Sequence, residues 1–185
     1  DAEGNMVSAT PSGGWITTSP VIPGLGMCLG TRGQMFYLNP QRPNALAGRK
    51  RPRTTLTPSL VTRDGRPLMA FGTPGGDLQD QLTLQFFINV TDFGMDLQEA
   101  IDAPTVYSQH FPSSFFPRNA FPGQATVEGR IDRQTISELE QRGHQIVVND
   151  DWAHGRVQAI GINHCTGFIH GAVSPRGSMA SAMAW

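Results

Sequence analysis

A glycine-rich turn at residues 74–76 separates two parts of the chain whose apolar residues follow different periods. Before the turn, short apolar runs bounded by glycine and proline predict four strands, at residues 6–9, 34–38, 56–62 and 68–71. A hairpin turn is predicted at 63–66, between the last two strands. After the turn, a helix capped by Asp77 is predicted over residues 78–91, because four apolar residues recur at helical spacing: Leu78, Leu82, Phe86 and Val90. The chain therefore contains a strand that ends in two glycines and leads directly into a helix.

The order of the remaining elements favours an α+β fold. Asp96 and Glu99 form a capping box for a short second helix, and a third helix begins at Asp132 and stops at Gly143. Apolar, partly β-branched runs then predict three further strands, at residues 146–148, 157–162 and 168–172. Because strands and helices are segregated rather than alternating, the sequence predicts a single α+β domain over residues 1–185 and not a doubly wound parallel sheet.

Charge and residue counts disfavour several classes of function. With 14 basic and 15 acidic side chains the net charge is −1, so no overall field attracts nucleic acid or an anionic membrane. No run of about 18 apolar residues is present, and no membrane span is predicted. A disulfide between Cys28 and Cys165 is one interpretation, but two buried free thiols are favoured. The five histidines lack metal-ligand spacing, and the sequence predicts neither a metal nor a cofactor.

The turn at Gly72-Thr-Pro-Gly-Gly76 has a chemical interpretation as well as a structural one. Glycines at the end of a strand let the backbone bend and present amide N–H groups beside a helix N-terminus, which favours negative charge. An oxyanion formed during acyl transfer needs such donors. On this pattern alone, a simple tight turn between strand and helix is the more common explanation.

Two adjacent hydroxyls, Thr54 and Thr55, lie between the basic loop at residues 49–53 and an apolar strand. Such hydroxyls can hold a carboxylate or a carbonyl group of a substrate. A solvated loop is the alternative interpretation, and a nucleic-acid patch is disfavoured because the loop has no interleaved aromatic residues.

Six blocks in this order resemble the small subunit of the gamma-glutamyltranspeptidases, and the resemblance runs nearly from one end of the chain to the other. The blocks are Asp1-Ala-Glu-Gly-Asn5, Lys50-Arg-Pro-Arg-Thr-Thr-Leu-Thr-Pro58, Gly72-Thr-Pro-Gly-Gly76, Asp92-Phe-Gly94, Glu99-Ala-Ile-Asp-Ala-Pro104 and Gly171-Ala-Val-Ser-Pro-Arg176. Six spaced blocks are far more specific than any one of them.

The resemblance implies an N-terminal-nucleophile hydrolase with a four-layer αββα sandwich, made as a precursor that cleaves itself. Cleavage frees a threonine whose hydroxyl attacks an amide while its own amine acts as base. That threonine is expected upstream of Asp1, since residues 1–5 read as a hairpin tip with no strand before it. The resemblance further implies a large N-terminal subunit as partner, a gamma-glutamyl amide such as glutathione as substrate, and no activity from this chain alone.

The same resemblance assigns roles to six positions. Gly75 and Gly76 match the glycine pair of the oxyanion hole, and Ser12 falls where the family has a hydroxyl that orients the nucleophile. Thr54 and Thr55 match the hydroxyl pair that contacts the donor's carboxylate. Gly14 lies in the substrate site, at a position where gamma-glutamyl enzymes carry an asparagine.

Gly14 and a second departure from the family pattern leave the acyl donor open. Residues 37–40 lack the aspartate that would bind the α-amino group of a gamma-glutamyl donor, so a related acylase acting on another acyl group is an alternative, as is a catalytically dead binding homologue. The long stretch at 107–124, rich in Phe, Pro and Ser, is interpreted as a surface flap. Its phenylalanines are suited to an apolar acyl pocket, although surface packing explains them equally well: Phe111, Phe115, Phe116 and Phe121.

Localisation stays open between a periplasmic or extracellular site, which the family favours, and the cytoplasm.

Overall fold

The structure is a computed structural model that describes residues 3–13, 17, 19–177 and 180–183. The strands, in chain order, are β1 Val21–Ile22, β2 Met27–Cys28, β3 Ser59–Arg63, β4 Arg66–Gly72, β5 Val106–Ser108, β6 Gln124–Glu128, β7 Gln145–Asn149, β8 Gln158–Ile162 and β9 Ile169–Val173. The helices are α1 Gln79–Thr91, α2 Leu97–Asp102 and α3 Arg133–Gln141, and short 3-10 helices cover Arg32–Met35 and Gly76–Leu78. Among the described helices, none is long and apolar enough to cross a membrane.

A four-stranded antiparallel sheet forms the centre of the fold, in the order β3-β4-β8-β9. Strands β3 and β4 are joined by the predicted hairpin turn, in which Asp64 and Gly65 both have positive φ, at 53° and 75°. Positive φ at both central positions gives a turn whose twist matches that of the flanking strands. Helices α1 and α2 pack on this sheet, where the Phe71 and Phe86 rings lie 4.9 Å apart. Phe86 is 2% exposed, and burying such a side chain contributes roughly 1.5–3 kcal/mol.

A second sheet has the order β5-β6-β7. Strand β5 pairs antiparallel with β6, and β6 pairs in parallel with β7 through the crossover helix α3. The carboxylate of Asp132 accepts a 3.1 Å hydrogen bond from the Thr135 N–H and so caps this helix, as predicted. The predicted capping box of Asp96 and Glu99 is also present at the start of α2.

A buried ion pair connects the second sheet to helix α2. Glu128, at the end of β6, is fully buried and accepts hydrogen bonds from Arg176 at 2.6 and 2.8 Å. The same guanidinium donates to the carbonyl oxygens of Ile101 and Ala103, at 2.5 and 2.8 Å. Burial alone would raise the pKa of Glu128, but the hydrogen bonds and charge of Arg176, with N–H bonds from His154 and Thr105, lower it to about 2. The carboxylate is therefore ionised throughout the neutral range.

Several predicted elements differ from the structure. The predicted strand at 34–38 is instead a 3-10 turn followed by a single bridge from Tyr37 to Ala45, because the Phe36 N–H closes the turn on the Gly33 carbonyl. Residues 6–9 form no regular strand, although the Ser8 hydroxyl donates to the Phe71 carbonyl at 2.9 Å and accepts from the Ser59 N–H at 3.1 Å. Strands β5 and β6, which were not predicted, flank the flap at residues 107–124 and share its end residues.

The two cysteines also differ from expectation. Both are free thiols, but Cys28 is only half-buried and Cys165 is exposed. Cys165 lies in the turn between β8 and β9, where its N–H donates to the Asn163 side chain at 2.9 Å. The prediction that both thiols are free agrees with the structure, but the prediction that they are buried was wrong. Cys165 is exposed because a tight hairpin turn has no interior into which its side chain can point.

Candidate active site

The two glycines of the turn lie at the end of β4, just before the first turn that leads into α1. Gly75 has φ 143° and Gly76 has φ 59°, values that glycine adopts at no steric cost. Within the described part of the chain, neither N–H donates a hydrogen bond, while the Gly75 carbonyl accepts one from the Leu78 N–H at 3.2 Å. Gly75 is exposed and Gly76 is half-buried, so both N–H groups are available to a ligand.

Phe115 lies directly against Gly76. A Cβ atom placed on Gly76 would come within 3.2 Å of the Phe115 ring, which is tighter than an ordinary contact. The flap at residues 107–124 therefore approaches the turn so closely that position 76 requires glycine. The positive φ of Gly76 is a second reason for glycine at this position.

Asp77 fixes the flap instead of capping α1, which corrects the sequence prediction. Its carboxylate accepts hydrogen bonds from the Ser113 hydroxyl at 3.0 Å, from the Ser114 N–H at 2.8 Å and from the Ser114 hydroxyl. Burial raises the pKa of Asp77, but these bonds, helped by the charge of Arg53, outweigh burial and leave the pKa below its ordinary value. Helix α1 begins without a side-chain cap because the nearest carboxylate is already saturated by the flap.

Arg118 provides a second anchor for the flap. Its guanidinium donates to the Ser114 carbonyl at 2.8 Å and to the carbonyls of Met35 and Phe36 at 3.0 and 3.1 Å. The same group lies 3.9 Å from the centre of the Tyr37 ring. Although Phe111 and Phe116 are more than 80% exposed, Ser114 is fully buried, so the flap is a surface segment held at its middle.

Thr54 and Thr55 face a cavity of about 600 Å³ that also contains Gly75 and Gly76, which we call the hydroxyl cavity. Thr54 is exposed, and its hydroxyl accepts from the Leu56 N–H at 3.1 Å. Thr55 is only 9% exposed, and its hydroxyl has no hydrogen-bond partner among the described residues. A buried hydroxyl without a partner is unfavourable unless a ligand satisfies it.

Ser12 lines an adjoining cavity of about 540 Å³, which we call the arginine cavity because it also contains Arg32. The Arg32 Nη2 group donates a hydrogen bond to the Ser12 hydroxyl. Gly75, Gly76 and Phe115 line this cavity as well as the hydroxyl cavity, so the two meet at the glycine turn. Gly14, the remaining predicted site residue, lies outside the described residues.

A third cavity, of about 650 Å³, lies over the four-stranded sheet between residues 7–11 and 181–183. It contains none of the predicted site residues that the structure describes. The five that are described divide between the two smaller cavities, and they converge on the turn at Gly75 and Gly76.

Three residues that shape this site were not predicted from the sequence. Arg32 lies just before a predicted strand and was assigned no role, and Ser114 and Arg118 lie in the flap, where only the phenylalanines stood out. Each acts through a partner more than 15 residues away in the chain, which no local pattern reveals.

The fold is that of the N-terminal-nucleophile hydrolases: the same architecture occurs in solved gamma-glutamyltranspeptidases, and strands and helices here form the α+β arrangement of that class. A family model described as gamma-glutamyltranspeptidase matches residues 1–184. The chain therefore belongs to the gamma-glutamyltranspeptidase family, whose members are hydrolases and transferases.

Individual relatives agree with this assignment. The chain is 34% identical over 185 residues to the glutathione hydrolase-like YwrD proenzyme of Bacillus subtilis, covering 98% of this chain and 34% of that protein. It is 50% identical to the solved structure of LmbA2991HD, with a TM-score of 0.81 over 90% of this chain and 30% of that one. It is 27% identical to a chain of the gamma-glutamyltranspeptidase from Pseudomonas nitroreducens complexed with L-DON, with a TM-score of 0.77, covering 100% of this chain and 96% of that chain. This chain spans about a third of the length of the curated relatives that it matches.

Proposed function

We propose that the complete protein is an amide-cleaving acyltransferase or hydrolase that acts on gamma-glutamyl compounds such as glutathione. The observation that carries the proposal is the pair of N–H groups at Gly75 and Gly76, which have no acceptor among the described residues, beside the buried hydroxyl of Thr55, which also has no described partner. Such a pair of donors suits an oxyanion, and the hydroxyl suits an oxygen of the same substrate.

The proposed reaction uses an N-terminal threonine that precedes Asp1. Its hydroxyl attacks the amide carbonyl carbon while its own amine takes the proton, and the N–H groups of Gly75 and Gly76 donate to the oxyanion of the tetrahedral intermediate. Collapse of the intermediate breaks the C–N bond, and the amine leaves with the transferred proton. Water then hydrolyses the resulting ester, or an acceptor amine takes the acyl group.

Ser12, Thr54 and Thr55 have supporting roles in this scheme. The Ser12 hydroxyl positions the nucleophile, and its place beside the glycine turn supports that assignment. Thr54 and Thr55 donate hydrogen bonds to a carboxylate or carbonyl oxygen of the donor, which would satisfy the Thr55 hydroxyl. Gly14 is assigned to the same substrate site on the family pattern alone.

We further propose that residues 1–185 are one domain, the small subunit of a self-cleaving precursor, and that the partner is the large N-terminal subunit of the same precursor. The names of the curated relatives support this, since they are proenzymes about three times as long as this chain. The match to 96% of one chain of the Pseudomonas nitroreducens enzyme supports it too.

An acylase with a different acyl donor is the second candidate. Residues 37–40 contain no carboxylate. The side chain of Asn39 accepts a 2.9 Å hydrogen bond from the Gln41 N–H, and Asn39 is not among the described residues that line the hydroxyl cavity or the arginine cavity. Phe111 and Phe115 add apolar surface to the hydroxyl cavity. One relative of the family, from Pseudomonas, is named an acylase.

The test begins with the purified full-length precursor. We expect it to split into two subunits during incubation, with threonine as the first residue of the smaller one by N-terminal sequencing. A single uncleaved band after long incubation would contradict the proposal and favour a binding homologue. The chain of residues 1–185 alone should cleave no amide, because nucleophile and base are both upstream. Turnover by this chain would overturn the mechanism.

A further inference from the structure

We propose that Thr73 is a positioning residue whose hydroxyl holds the N–H group of Gly75 in the direction that an oxyanion requires. The inference rests on the proposed acyl-transfer function, in which this N–H donates to the tetrahedral intermediate. Thr73 is buried and follows the last residue of β4. Neither the pattern of the glycine turn nor the family resemblance assigned a role to its side chain.

The Thr73 hydroxyl has a partner on each side. Its Oγ1 donates to the carbonyl oxygen of Pro74 at 2.8 Å and accepts from the N–H of Arg156 at 3.0 Å. A hydroxyl has one proton, so the bond to Pro74 uses the proton of Thr73 completely. Because Thr73 is 3% exposed, exchange of this bond with bulk water is restricted.

The bond to Pro74 acts on Gly75 because the two groups belong to one peptide unit. The Pro74 carbonyl and the Gly75 N–H share a planar trans peptide, in which they point in opposite directions. Thr73 lines the third cavity, over the sheet, whereas Gly75 lines the hydroxyl cavity and the arginine cavity. A donor that holds the carbonyl oxygen on the side of the sheet therefore directs the N–H towards the two smaller cavities.

A peptide between proline and glycine needs such a donor to keep one orientation. At the centre of a turn the peptide unit has two orientations, which distinguish type I from type II turns, and proline followed by glycine is compatible with both. Gly75, with φ 143°, has no Cβ atom to oppose a rotation of this peptide. Without the hydroxyl bond, the N–H is expected to turn away from the cavities for part of the time.

The second N–H of the turn is held in a similar way by backbone. The Gly76 N–H shares a peptide with the Gly75 carbonyl, and that carbonyl accepts from the Leu78 N–H at 3.2 Å. Both glycine N–H groups are thus oriented through the carbonyl of their own peptide unit. In the first peptide the donor is a side chain, so a substitution can test its role.

The position of Thr73 is itself set by the segment that leads into β8. The preceding neighbour of Arg156 is Gly155, and a Cβ atom on Gly155 would come within 2.8 Å of Cδ1 of Leu82 on helix α1. This close packing holds the Arg156 N–H against the end of β4, where it meets the Thr73 hydroxyl. The orientation of the Gly75 N–H therefore depends on how the segment before β8 packs on α1.

The first experiment measures cleavage of gamma-glutamyl p-nitroanilide by the processed full-length protein, with rates expressed per processed small subunit. Thr73→Val keeps the shape of the side chain and deletes the hydroxyl. We expect it to lower kcat about 10²-fold and to change KM less than about twofold, because an interaction made only in the transition state affects kcat and kcat/KM equally. Thr73→Ser keeps the hydroxyl and should recover most of kcat.

Two further variants complete the comparison. Thr73→Cys, whose thiol is a weak donor and acceptor, should give a kcat between those of Thr73→Ser and Thr73→Val, and it keeps the test available if Thr73→Val does not fold. Thr83→Val is the matched control, because it deletes a buried hydroxyl that donates to the Gln79 carbonyl at 2.7 Å, and it should keep the wild-type kcat.

Three kinetic results would overturn the inference. The first is a wild-type kcat in both Thr73→Val and Thr73→Cys. The second is a loss that appears in KM and not in kcat. The third is an equal loss of kcat in Thr73→Ser, which would mean that the side chain supports the fold and not the N–H.

Crystal structures of the same variants separate this inference from the proposed function. If wild type cleaves no amide, the proposed function fails, but the Gly75 N–H should still face the two smaller cavities in wild type and in Thr73→Ser. In Thr73→Val or Thr73→Cys, the peptide between Pro74 and Gly75 should be rotated in at least part of the molecules. The wild-type orientation at full occupancy in these two variants would contradict the role of Thr73 whatever the turnover.

Discussion

The Nε atom of Arg176 lies 2.6 Å from Oε1 of Glu128, and neither side chain is more than 3% exposed. The pair joins the end of β6 to helix α2, because the same guanidinium also donates to the carbonyls of Ile101 and Ala103. A buried pair of this kind adds little net stability when compared with apolar side chains, but removal of Arg176 leaves the buried carboxylate with only the partly exposed Arg130, 3.0 Å away, as a described countercharge. We expect Arg176→Met to lower the free energy of unfolding of the complete protein by about 3–5 kcal/mol, as measured by urea denaturation.

The pH dependence of stability should report on the same pair. The folded-state pKa of Glu128 is about 2, against an ordinary value of 4.5, so its contribution is fully present above pH 4.5 and is lost as pH falls towards 2. The free energy of unfolding should decline across this window and should decline less steeply in Glu128→Gln. Burial also lowers the pKa of His154, which adds a loss of stability that starts as pH falls through about 6.5, so the slopes are compared below pH 4.5, the window set by Glu128. Glu138→Gln, an exposed change on α3, should keep the wild-type slope, and an unchanged slope in Glu128→Gln would contradict the assignment.

Replacement of Gly76 by alanine should damage the site more than the fold. The new methyl group meets the Phe115 ring at 3.2 Å, at a φ of 59° that disfavours alanine, so the N–H must shift. Loss of one oxyanion donor typically costs about 10²–10³ in kcat. Gly65→Ala is the matched control, because Gly65 also has a positive φ of 75° but meets nothing within 4 Å. That control should cost roughly 1–2 kcal/mol of stability and leave kcat unchanged. Equal kcat values in the two variants would argue against an oxyanion role.

Removal of the Thr55 hydroxyl should separate stability from activity. Thr55→Val keeps the shape of the side chain and deletes a buried hydroxyl with no described partner, so the free energy of unfolding should rise by about 1 kcal/mol. Donor kcat/KM should fall about 10-fold, because the substrate oxygen loses its hydrogen bond. Thr83→Val provides the opposite case: its buried hydroxyl donates to the Gln79 carbonyl at 2.7 Å, so stability should fall while kcat/KM holds. If Thr55→Val is destabilised and fully active, its hydroxyl serves the fold and not a ligand.

Asp77→Asn should loosen the flap at residues 107–124. The amide keeps one acceptor oxygen and loses the charge, so the bonds from Ser113 and Ser114 weaken, and limited proteolysis should cut the flap faster than in wild type. The Michaelis constant for the acyl donor should rise more than kcat falls, because the flap forms a wall of both cavities. Asp132→Asn is the control, since asparagine caps a helix as well as aspartate does and α3 is remote from the flap. Equal cleavage rates in the two variants would exclude Asp77 as an anchor.

Local sequence patterns predicted the elements whose determinants are close together in the chain. The hairpin at Asp64 and Gly65, the capping box at Asp96 and Glu99, and helix α1 all depend on residues within a few positions of one another, and all three are present. The buried face of α1 also follows its apolar spacing, since Leu82 and Phe86 are 1% and 2% exposed.

The elements that were missed depend on distant partners. Asp77 looked like a cap because it precedes a helix, but its hydrogen-bond donors lie 36 and 37 residues later. Strand β6 was missed because it ends in Glu128, a residue expected at the surface. Its burial is made tolerable by Arg176, which lies 48 residues later, together with Arg130. Of the site, the glycine and hydroxyl pairs were recognised from the family resemblance, and the structure brings them to one cavity. Their chemical roles remain predictions.

The guanidinium that connects α2 with β6 also bears on the order in which the protein can mature during translation. Every group that Arg176 contacts is synthesised before it: the carbonyls at 101 and 103 by more than 70 residues, and the carboxylate at 128 by 48. Until Arg176 has left the ribosome, Arg130 is the one countercharge of Glu128 among the described residues, so burial of the ionised carboxylate costs more than in the finished fold. The second sheet should therefore settle against α2 only as a late, post-emergence step, and a nascent chain stalled before this residue should remain open to chaperones.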